Sequence, residues 1–296
     1  MILDLNALSP VERQGYLNAA VAPRPICFAS TIDLSGQVNL SPFSFFNLFS
    51  TTPPVLIFSP SRRVRDNTTK HTWLNVLEVP EVVINIVDYP MVRQVSLSSC
   101  DYPKEVSEFA KAGFTGEPAT LVRPPMVKES KVRFECRVID TRPLGDLPGS
   151  GNLVICEPLR MHVDESVLDP RTRRIDQRLL RLVARLGEDW YCTVDPANLF
   201  RVEKPNAHLG IGIDGLPPAI RGSRTLTGNH LGQLGNVRAM PEVDPAYHDE
   251  RLQEIFRCYG GYCTEMETEL HAYAAELLEA GKVTEAWQVV LQPAKL

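Results

Sequence analysis

Residues 39–60 read NLSPFSFFNLFSTTPPVLIFSP. This stretch is rich in phenylalanine, but serine, threonine and asparagine run through it and Pro53-Pro54 interrupt it. The core of a strand has no use for so many hydroxyl groups, and the interior of a helix does not tolerate two prolines. We therefore predict an irregular apolar segment in which hydroxyls and uncommitted peptide groups bind a ligand.

The composition is that of an ordinary globular protein. The chain has 296 residues, of which 44% are hydrophobic and 23% charged. Such a chain can bury a sizeable core, in one large domain or in two smaller ones. Its net charge of −5 gives no support to a nucleic-acid partner or an anionic membrane.

The sequence shows no sign of membrane insertion, secretion or a metal centre. Residues 1–15 include acids and no apolar run of signal-peptide length, and no run elsewhere approaches the ~20 residues of a membrane span. Seven cysteines lie singly, without the spacing of a zinc site and in an odd number that suits a disulfide framework poorly. We expect a cytoplasmic protein with no membrane partner and no metal.

Short β-type runs dominate residues 1 to about 165. They are rich in valine, isoleucine and phenylalanine and lie at 26–32, 55–59, 82–87, 132–140, 152–157 and 159–163. Ser35-Gly36 predicts a hairpin turn, and short helices are expected before Pro80 and before Gly113. Because long helices do not alternate with the strands, a mainly β, α+β fold built on an antiparallel barrel is favoured over a doubly wound parallel sheet.

The segment from 171 to 204 is predicted to contain a helix followed by a strand-like tail. Apolar residues recur there at helical spacing before Gly187: Ile175, Leu179, Leu182, Val183 and Leu186. The arginines between them would either contact nucleic acid or form the solvated face of an amphipathic helix, and the second reading is favoured.

Residues 205–296 differ from the rest in composition and periodicity, since a glycine-rich stretch is followed by helical patterns. We predict two domains, a barrel over 1–204 and a small helical C-terminal extension over 205–296. Within the glycine-rich stretch, GIGIDG at 210–215 fits the dinucleotide pattern G-x-G-x-x-G. No strand pattern precedes it and Pro217-Pro218 block a helix there, so these glycines are assigned to turns.

Residues 59–75, SPSRRVRDNTTKHTWLN, place cations and hydroxyls where a helix is predicted to begin. The first turn of a helix offers unpaired N–H groups and a partial positive charge, which suit a phosphate. Lys70 and Thr72 would add a point charge and a hydroxyl, Arg62 or Arg65 a planar fork, and Ser59 and Ser61 further hydroxyls. The alternative is a solvent-exposed basic loop with a threonine N-cap.

An aromatic segment adjoins this loop. Phe43, Phe45 and Phe46 offer stacking surface, and the neighbouring polar groups can meet the edge of a flat ring. A ligand with an aromatic head and an anionic tail, such as flavin mononucleotide (FMN), fits both features, although at least one of these phenylalanines is expected in the core.

Motifs along residues 15–205 follow a characteristic order. They comprise Arg24-Pro25, Gly36, Asn39, the run Ser41-Pro42-Phe43-Ser44, Pro53-Pro54 and Lys70-His71-Thr72. The order and spacing resemble the flavin reductase-like family of FMN-binding split barrels, to which the flavoredoxins also belong. The last motif resembles the family's K-D-T phosphate motif, with histidine in place of the acid.

The resemblance implies an FMN-binding split β-barrel with inserted helices. It implies that residues 39–60 line the flavin ring pocket, with Asn39, Ser41 and Ser44 at the ring edge and Ser59 at the start of the phosphate loop. Together with the reasoning above, the predicted cofactor-binding residues are Asn39, Ser41, Pro42, Phe43, Ser44, Phe45, Ser59, Ser61, Arg62, Arg65, Lys70, His71 and Thr72. Arg24 is a weaker candidate for holding an anionic tail.

The functional hypothesis is an oxidoreductase in which NADH or NADPH reduces bound flavin and electrons pass to free flavin or another acceptor. FMN is preferred to FAD, because one compact anion site needs no adenine pocket. The resemblance also implies a homodimer, and a redox partner protein is an open possibility. An electron carrier without nicotinamide turnover and a non-catalytic flavin-binding module are the alternatives. No residue is assigned as an acid–base catalyst.

Overall fold

In a computed structural model, the structure describes residues 1–202, 204–205, 209–259 and 263–292. The chain divides into two compact units, Met1–Phe200 and Arg201–Leu296. The predicted domain boundary at 204/205 stays a prediction.

The strands of the described residues all lie in the first unit. They are β1 (Arg24–Pro25), β2 (Cys27–Ile32), β3 (Val38–Phe43), β4 (Phe46–Thr51), β5 (Pro54–Phe58), β6 (Glu81–Ile86), β7 (Gly116–Glu117), β8 (Met126–Val127), β9 (Val132–Pro143), β10 (Asn152–Val163), β11 (Val183–Arg185) and β12 (Tyr191–Thr193).

Helices occur in both units. The first unit has α1 (Pro10–Ala20), α2 (His71–Glu78), α3 (Val92–Leu97), α4 (Glu108–Ala112) and α5 (Gln177–Leu180), with short 3₁₀ turns at Tyr89–Met91, Glu165–Val167 and Pro196–Asn198. The second has α6 (Pro218–Arg221), α7 (Gly228–Gly235), α8 (Glu250–Tyr259), α9 (Thr264–Glu279) and α10 (Val283–Leu291). Among the described residues, no helix is both long enough and apolar enough to cross a membrane.

A seven-stranded antiparallel sheet forms the centre of the first unit. Its strand order is β3-β2-β6-β9-β10-β5-β4, so β3 and β4 lie at opposite edges. Only Ser44 and Phe45 connect these two edge strands. A two-residue connection cannot span an open sheet of seven strands about 4.8 Å apart, so the sheet is rolled until its edges meet at this corner.

The prediction of an irregular segment over residues 39–60 was wrong, because most of it is strand. Pro42 does not break β3, since that strand is at the sheet edge and its missing N–H faces away from β2. Pro54 is tolerated because it is the first residue of β5, a position at which a strand accepts proline. The hydroxyl-bearing residues are accommodated because β3 is a half-buried edge strand and β4 a largely exposed one.

The interior of the rolled sheet is closed by α2. Trp73 and Val76 of this helix pack into the cluster that contains Phe43 and Phe58, whose ring centroids are 5.5 Å apart. Phe43 is therefore a core residue, as expected of at least one phenylalanine in the segment.

Three local predictions are confirmed. Residues 33–37 form the turn between β2 and β3, with Gly36 in the left-handed region at φ +89°. α2 ends before Pro80, and α4 ends at Gly113, whose φ of +70° allows the chain to leave the helix.

The amphipathic helix predicted between 171 and 187 is wrong. Only Gln177–Leu180 is helical, and Arg181 adopts a left-handed φ of +47° that ends it. Val183 then enters β11, which pairs with both β1 and β12. The apolar residues Ile175 and Leu182 pack with Leu180 from outside the helix, so burial against the sheet outweighed the helical periodicity.

The second unit is a helical cluster with its own core. Its largest fully buried side chain is Trp287, packed with apolar residues from α7, α8 and α9. The GIGIDG segment forms turns here, as predicted, and the next helix starts at Pro218. The Ile211 N–H donates to the Val237 carbonyl (2.9 Å), which fixes these turns against the end of α7.

Candidate functional site

A cavity of about 870 Å³ opens in the first unit at the corner where the sheet edges meet. Its wall is built from α1, the β3–β4 corner, the loop after β5, the end of α3 with the following segment, and the β11–β12 hairpin. The volume is near the upper end of the range of about 300–1,000 Å³ usual for small-molecule sites.

Most of the predicted cofactor-binding residues meet in this cavity. Nine of them line it: Pro42, Phe43, Ser44, Phe45, Ser59, Ser61, Arg62, Arg65 and Lys70. The structure does not bring the other four to the wall, namely Asn39, Ser41, His71 and Thr72. Their roles toward a ligand stay predictions.

Asn39 and Thr72 contact each other beneath the site. Asn39 Nδ2 donates to Thr72 Oγ1 (2.8 Å), and both side chains are buried. This bond connects β3 to the first turn of α2 and so holds the helix start against the sheet. His71 precedes Thr72, and burial together with the positive charges of Arg63, Lys104 and Lys70 lowers its pKa.

The loop between β5 and α2 is held rigidly. Arg62 donates from Nε and Nη2 to Oδ1 and the carbonyl of Asn67, both at 2.7 Å. Its own N–H donates to the Ser150 carbonyl (2.8 Å), which fastens the loop to the segment before β10. Asn67, at φ +57°, makes the sharp turn that brings the later residues of the loop back toward the cavity.

Three cations of this loop gather around one carboxylate. Asp101 contacts Arg63 Nε (2.9 Å), Arg65 Nη2 (2.8 Å) and Lys70 Nζ (3.2 Å). Burial opposes ionisation of Asp101, but hydrogen bonds from Arg63 and Lys70 outweigh it and lower the pKa of that carboxyl. Asp101 thus supplies a carboxylate to Lys70 from a different segment of the chain.

Two buried hydroxyls at the cavity wall are unsatisfied. Ser59 Oγ and Ser61 Oγ are inaccessible to solvent and have no hydrogen-bond partner among the described residues. A buried hydroxyl without a partner costs free energy, so such groups usually serve a ligand or a bound water. Gly151 leaves room for one of them, because a Cβ there would lie 2.7 Å from Ser59 Oγ.

An aromatic surface adjoins the cationic loop. Phe43 is buried at the end of β3, whereas Phe45 at the corner is 41% exposed. The Ser59 N–H donates to the Phe45 carbonyl (2.9 Å), so the corner and the start of the cationic loop are directly connected. The guanidinium of Arg24 lies 5.9 Å from the centroid of the Phe45 ring.

Arg24 lines the cavity and has a structural role, while the anion-binding role suggested for it stays a prediction. It donates to the carbonyls of Asn18 (2.6 Å), Val21 and Leu186 (2.8 Å), and so ties the end of α1 to the β11–β12 hairpin. Burial, followed by the nearby charge of Arg185, lowers its pKa.

Sequence reasoning missed the parts of the cavity wall that come from α1, from the end of α3 with the following segment, and from the β11–β12 hairpin. Val11, Gln14, Gly15 and Asn18 line the cavity from α1, at the i, i+3, i+4, i+7 spacing of a single helix face. The spacing is visible in the sequence, and the capping box formed by Ser9 and Glu12 could have located the helix. Asp101 was also missed, and no local signal connects it to the cationic loop.

Comparison with known proteins identifies the family of this chain. Residues 20–178 match the family described as flavin reductase like domain, and the chain belongs to that family. An uncharacterized protein of Aquifex aeolicus is 39% identical over 171 residues, which are 58% of this chain and 84% of the relative.

Solved structures give the same fold. Nitrilotriacetate monooxygenase component B from Bacillus cereus is 27% identical, with a TM-score of 0.63 over 68% of this chain and 98% of that one. A protein from Shewanella frigidimarina, described as a flavin reductase with a split barrel domain, is 26% identical, with a TM-score of 0.58 over 68% and 96%. The rolled seven-stranded sheet is therefore a split β-barrel, as predicted, and the C-terminal helices are an addition to it.

Proposed function

We propose that this chain binds FMN in the cavity at the β3–β4 corner and acts as a flavin reductase, with NADH or NADPH as the electron donor and free flavin or another acceptor as the recipient. The observation that carries the proposal is that one cavity joins a cationic loop and two unsatisfied seryl hydroxyls to an aromatic surface. Membership of the flavin reductase like domain family supports it.

The residues present fit a phosphate-bearing flavin. Ser59 and Ser61 would donate to the phosphate, and Arg65 and Lys70 would neutralise its charge. Phe43 and the corner would face the ring system, whose polar edge needs the few donors and acceptors that the corner supplies. A single compact cationic loop favours FMN over FAD.

Bound flavin would supply the hydride and electron chemistry, since this is intrinsic to the cofactor. The side chains would bind and orient the flavin, and the walls from α1 and the β11–β12 hairpin would exclude water from part of it. No side chain is assigned a proton-transfer role.

We also propose that the chain forms a homodimer through the region of β4. Phe45, Leu48 and Phe49 are 41%, 55% and 63% exposed, close to the cavity corner. The outer edge of β4 pairs with no other strand in the described part of the chain. Exposed apolar side chains on an open edge are a common feature of protein interfaces.

The proposal is tested by absorption spectroscopy of the purified protein, with and without added FMN. We expect FMN to bind, and NADH or NADPH to bleach its visible band under anaerobic conditions. A flavin that binds but stays oxidised would replace the reductase by an electron carrier or a non-catalytic flavin-binding module. Failure to bind FMN, FAD or riboflavin would overturn the site as well as the activity.

A pair of lysine variants tests the position of the phosphate. Lys70→Ala should weaken FMN binding by roughly 10- to 150-fold, the equivalent of losing a charged hydrogen bond worth about 1.5–3 kcal/mol. Lys104→Ala is the matched control, because Lys104 pairs with Asp33 (2.8 Å) and does not line the cavity. Equal affinities in the two variants would show that the phosphate lies elsewhere.

A further inference from the structure

Asp101 lies in the segment between α3 and α4, remote in sequence from the cationic loop, yet it lines the same cavity. Both of its carboxylate oxygens are engaged. Oδ1 contacts Arg63 Nε (2.9 Å) and Lys70 Nζ (3.2 Å), and Oδ2 contacts Arg65 Nη2 (2.8 Å). A single carboxylate therefore bridges three cations of the proposed phosphate site.

The cationic side chains of the loop differ in how many hydrogen bonds to the loop itself hold them in place. Arg62 is held by Asn67, and Arg63 also donates to the hydroxyl of Thr68 and the carbonyl of Thr69. Arg65 and Lys70 lack such a backbone anchor within the described residues; Arg65 pairs with Asp66 (3.1 Å) as well as with Asp101. Asp101 thus contacts the two cations that are freest to reach a ligand.

We propose that Asp101 competes with the phosphate monoester of the ligand for the cations of this loop. This competition weakens phosphate binding and keeps the flavin exchangeable. The inference rests on the proposed function. A phosphate monoester carries about −1.5 to −2 charges and three acceptor oxygens at pH 7, so it can displace a single carboxylate from these cations. It must nevertheless break the existing ion pairs, and any Asp101 charge that remains nearby repels it.

Removing the charge should therefore tighten binding. Ion pairs at this degree of exposure are each worth a factor of roughly 1.4 to 5, so loss of three of them should lower the Kd for FMN by about tenfold in Asp101→Asn. Most of the change should appear as slower FMN release, because affinity differences between related complexes lie mainly in the dissociation rate. Riboflavin, which lacks the phosphate, should bind the parent and the variant equally.

The experiment is a set of flavin-fluorescence titrations with FMN and riboflavin, together with competition by inorganic phosphate. Asp101→Glu, which keeps the charge, should resemble the parent. Asp189→Asn is the matched control, since Asp189 also lines the cavity but faces Arg185 (3.8 Å) instead of the three cations. Inorganic phosphate should compete with FMN at lower concentration in Asp101→Asn than in either control.

The outcomes separate this inference from the function on which it rests. If the parent prefers FMN to riboflavin but Asp101→Asn binds FMN no more tightly, Asp101 only positions the cations and the inference is wrong, while the proposed site stands. Weaker FMN binding by Asp101→Asn has the same meaning. If the parent binds FMN no better than riboflavin, the phosphate site itself is misassigned and both proposals fail.

Discussion

Replacing Ser59 or Ser61 with alanine should change stability and ligand binding in opposite directions. Each Oγ is buried with no hydrogen-bond partner in the described ranges, and an unsatisfied buried hydroxyl costs about 1–3 kcal/mol. Alanine removes that cost and leaves a small space, so we expect a net gain of about 1 kcal/mol in the ligand-free protein. A gain of this size raises Tm by about 2–4 °C for a domain of roughly 200 residues.

The same substitutions should weaken FMN binding. A hydroxyl that donates to phosphate makes a hydrogen bond to a charged group, worth about 1.5–3 kcal/mol. Its loss corresponds to roughly 10- to 150-fold in Kd, measured by quenching of flavin fluorescence. Riboflavin should bind each variant as it binds the parent.

Ser30→Ala provides the control. Ser30 Oγ is also buried and unsatisfied in the described structure, but Ser30 lies in β2 and does not line the cavity. It should show the gain in stability without any change in FMN affinity. The reasoning is refuted if Ser59→Ala and Ser61→Ala lower the stability of the ligand-free protein, or if their FMN affinities match that of Ser30→Ala.

Three further substitutions test other contacts. Thr72→Val should lower the free energy of unfolding by about 1–3 kcal/mol, measured by urea denaturation, because the buried Asn39 amide loses its acceptor; an unchanged value would show that water replaces it. The pKa of Glu135 is set by burial, which opposes ionisation, and by hydrogen bonds from Thr120, His162 and the Leu121 N–H, which together outweigh burial and lower the pKa to about 2. This carboxylate thus stabilises the fold above its ordinary pKa near 4.5, so Glu135→Gln should cost about 3 kcal/mol at pH 7 and progressively less between pH 4.5 and pH 2; a difference independent of pH would contradict the assignment. Gly235→Ala should destabilise the second unit by about 1–3 kcal/mol in thermal melts, since its Cβ would lie 2.9 Å from the backbone carbon of Gly212, and a neutral result would mean that the turn yields.

The sequence predicted the barrel well where a strand or turn depends on neighbouring residues. The hairpin at Gly36 and the helix end at Gly113 follow from local backbone preferences, and the structure has both. The strands β3 and β4 were misread because an edge strand that carries hydroxyls, or a proline as in β3, looks like a loop until its position in the sheet is known. The helix predicted over 171–187 failed because apolar spacing alone does not reveal that Val183 begins β11, a strand that pairs with both β1 and β12.

The candidate site was likewise predictable where its residues are adjacent in the sequence, and not where distant segments come together. The loop from Ser59 to Lys70 could be predicted, because its cations and hydroxyls are adjacent in the sequence and precede a helix. Asp101 could not, because its contacts with that loop depend on how the segment after α3 folds back. Nor could the burial of Thr72, whose hydroxyl faces Asn39 across the helix start rather than lining the cavity.

The corner formed by Ser44 and Phe45 also determines where this fold can change in length. Residues 34–36 form the exposed tip of the turn between β2 and β3, so added residues there would extend into solvent. An added residue at the corner would instead have to enter β3 or β4, and a shift of one residue in a strand turns its inward side chains outward. Insertions and deletions among descendants of this sequence should accordingly accumulate at the hairpin tip, while the corner keeps its two residues.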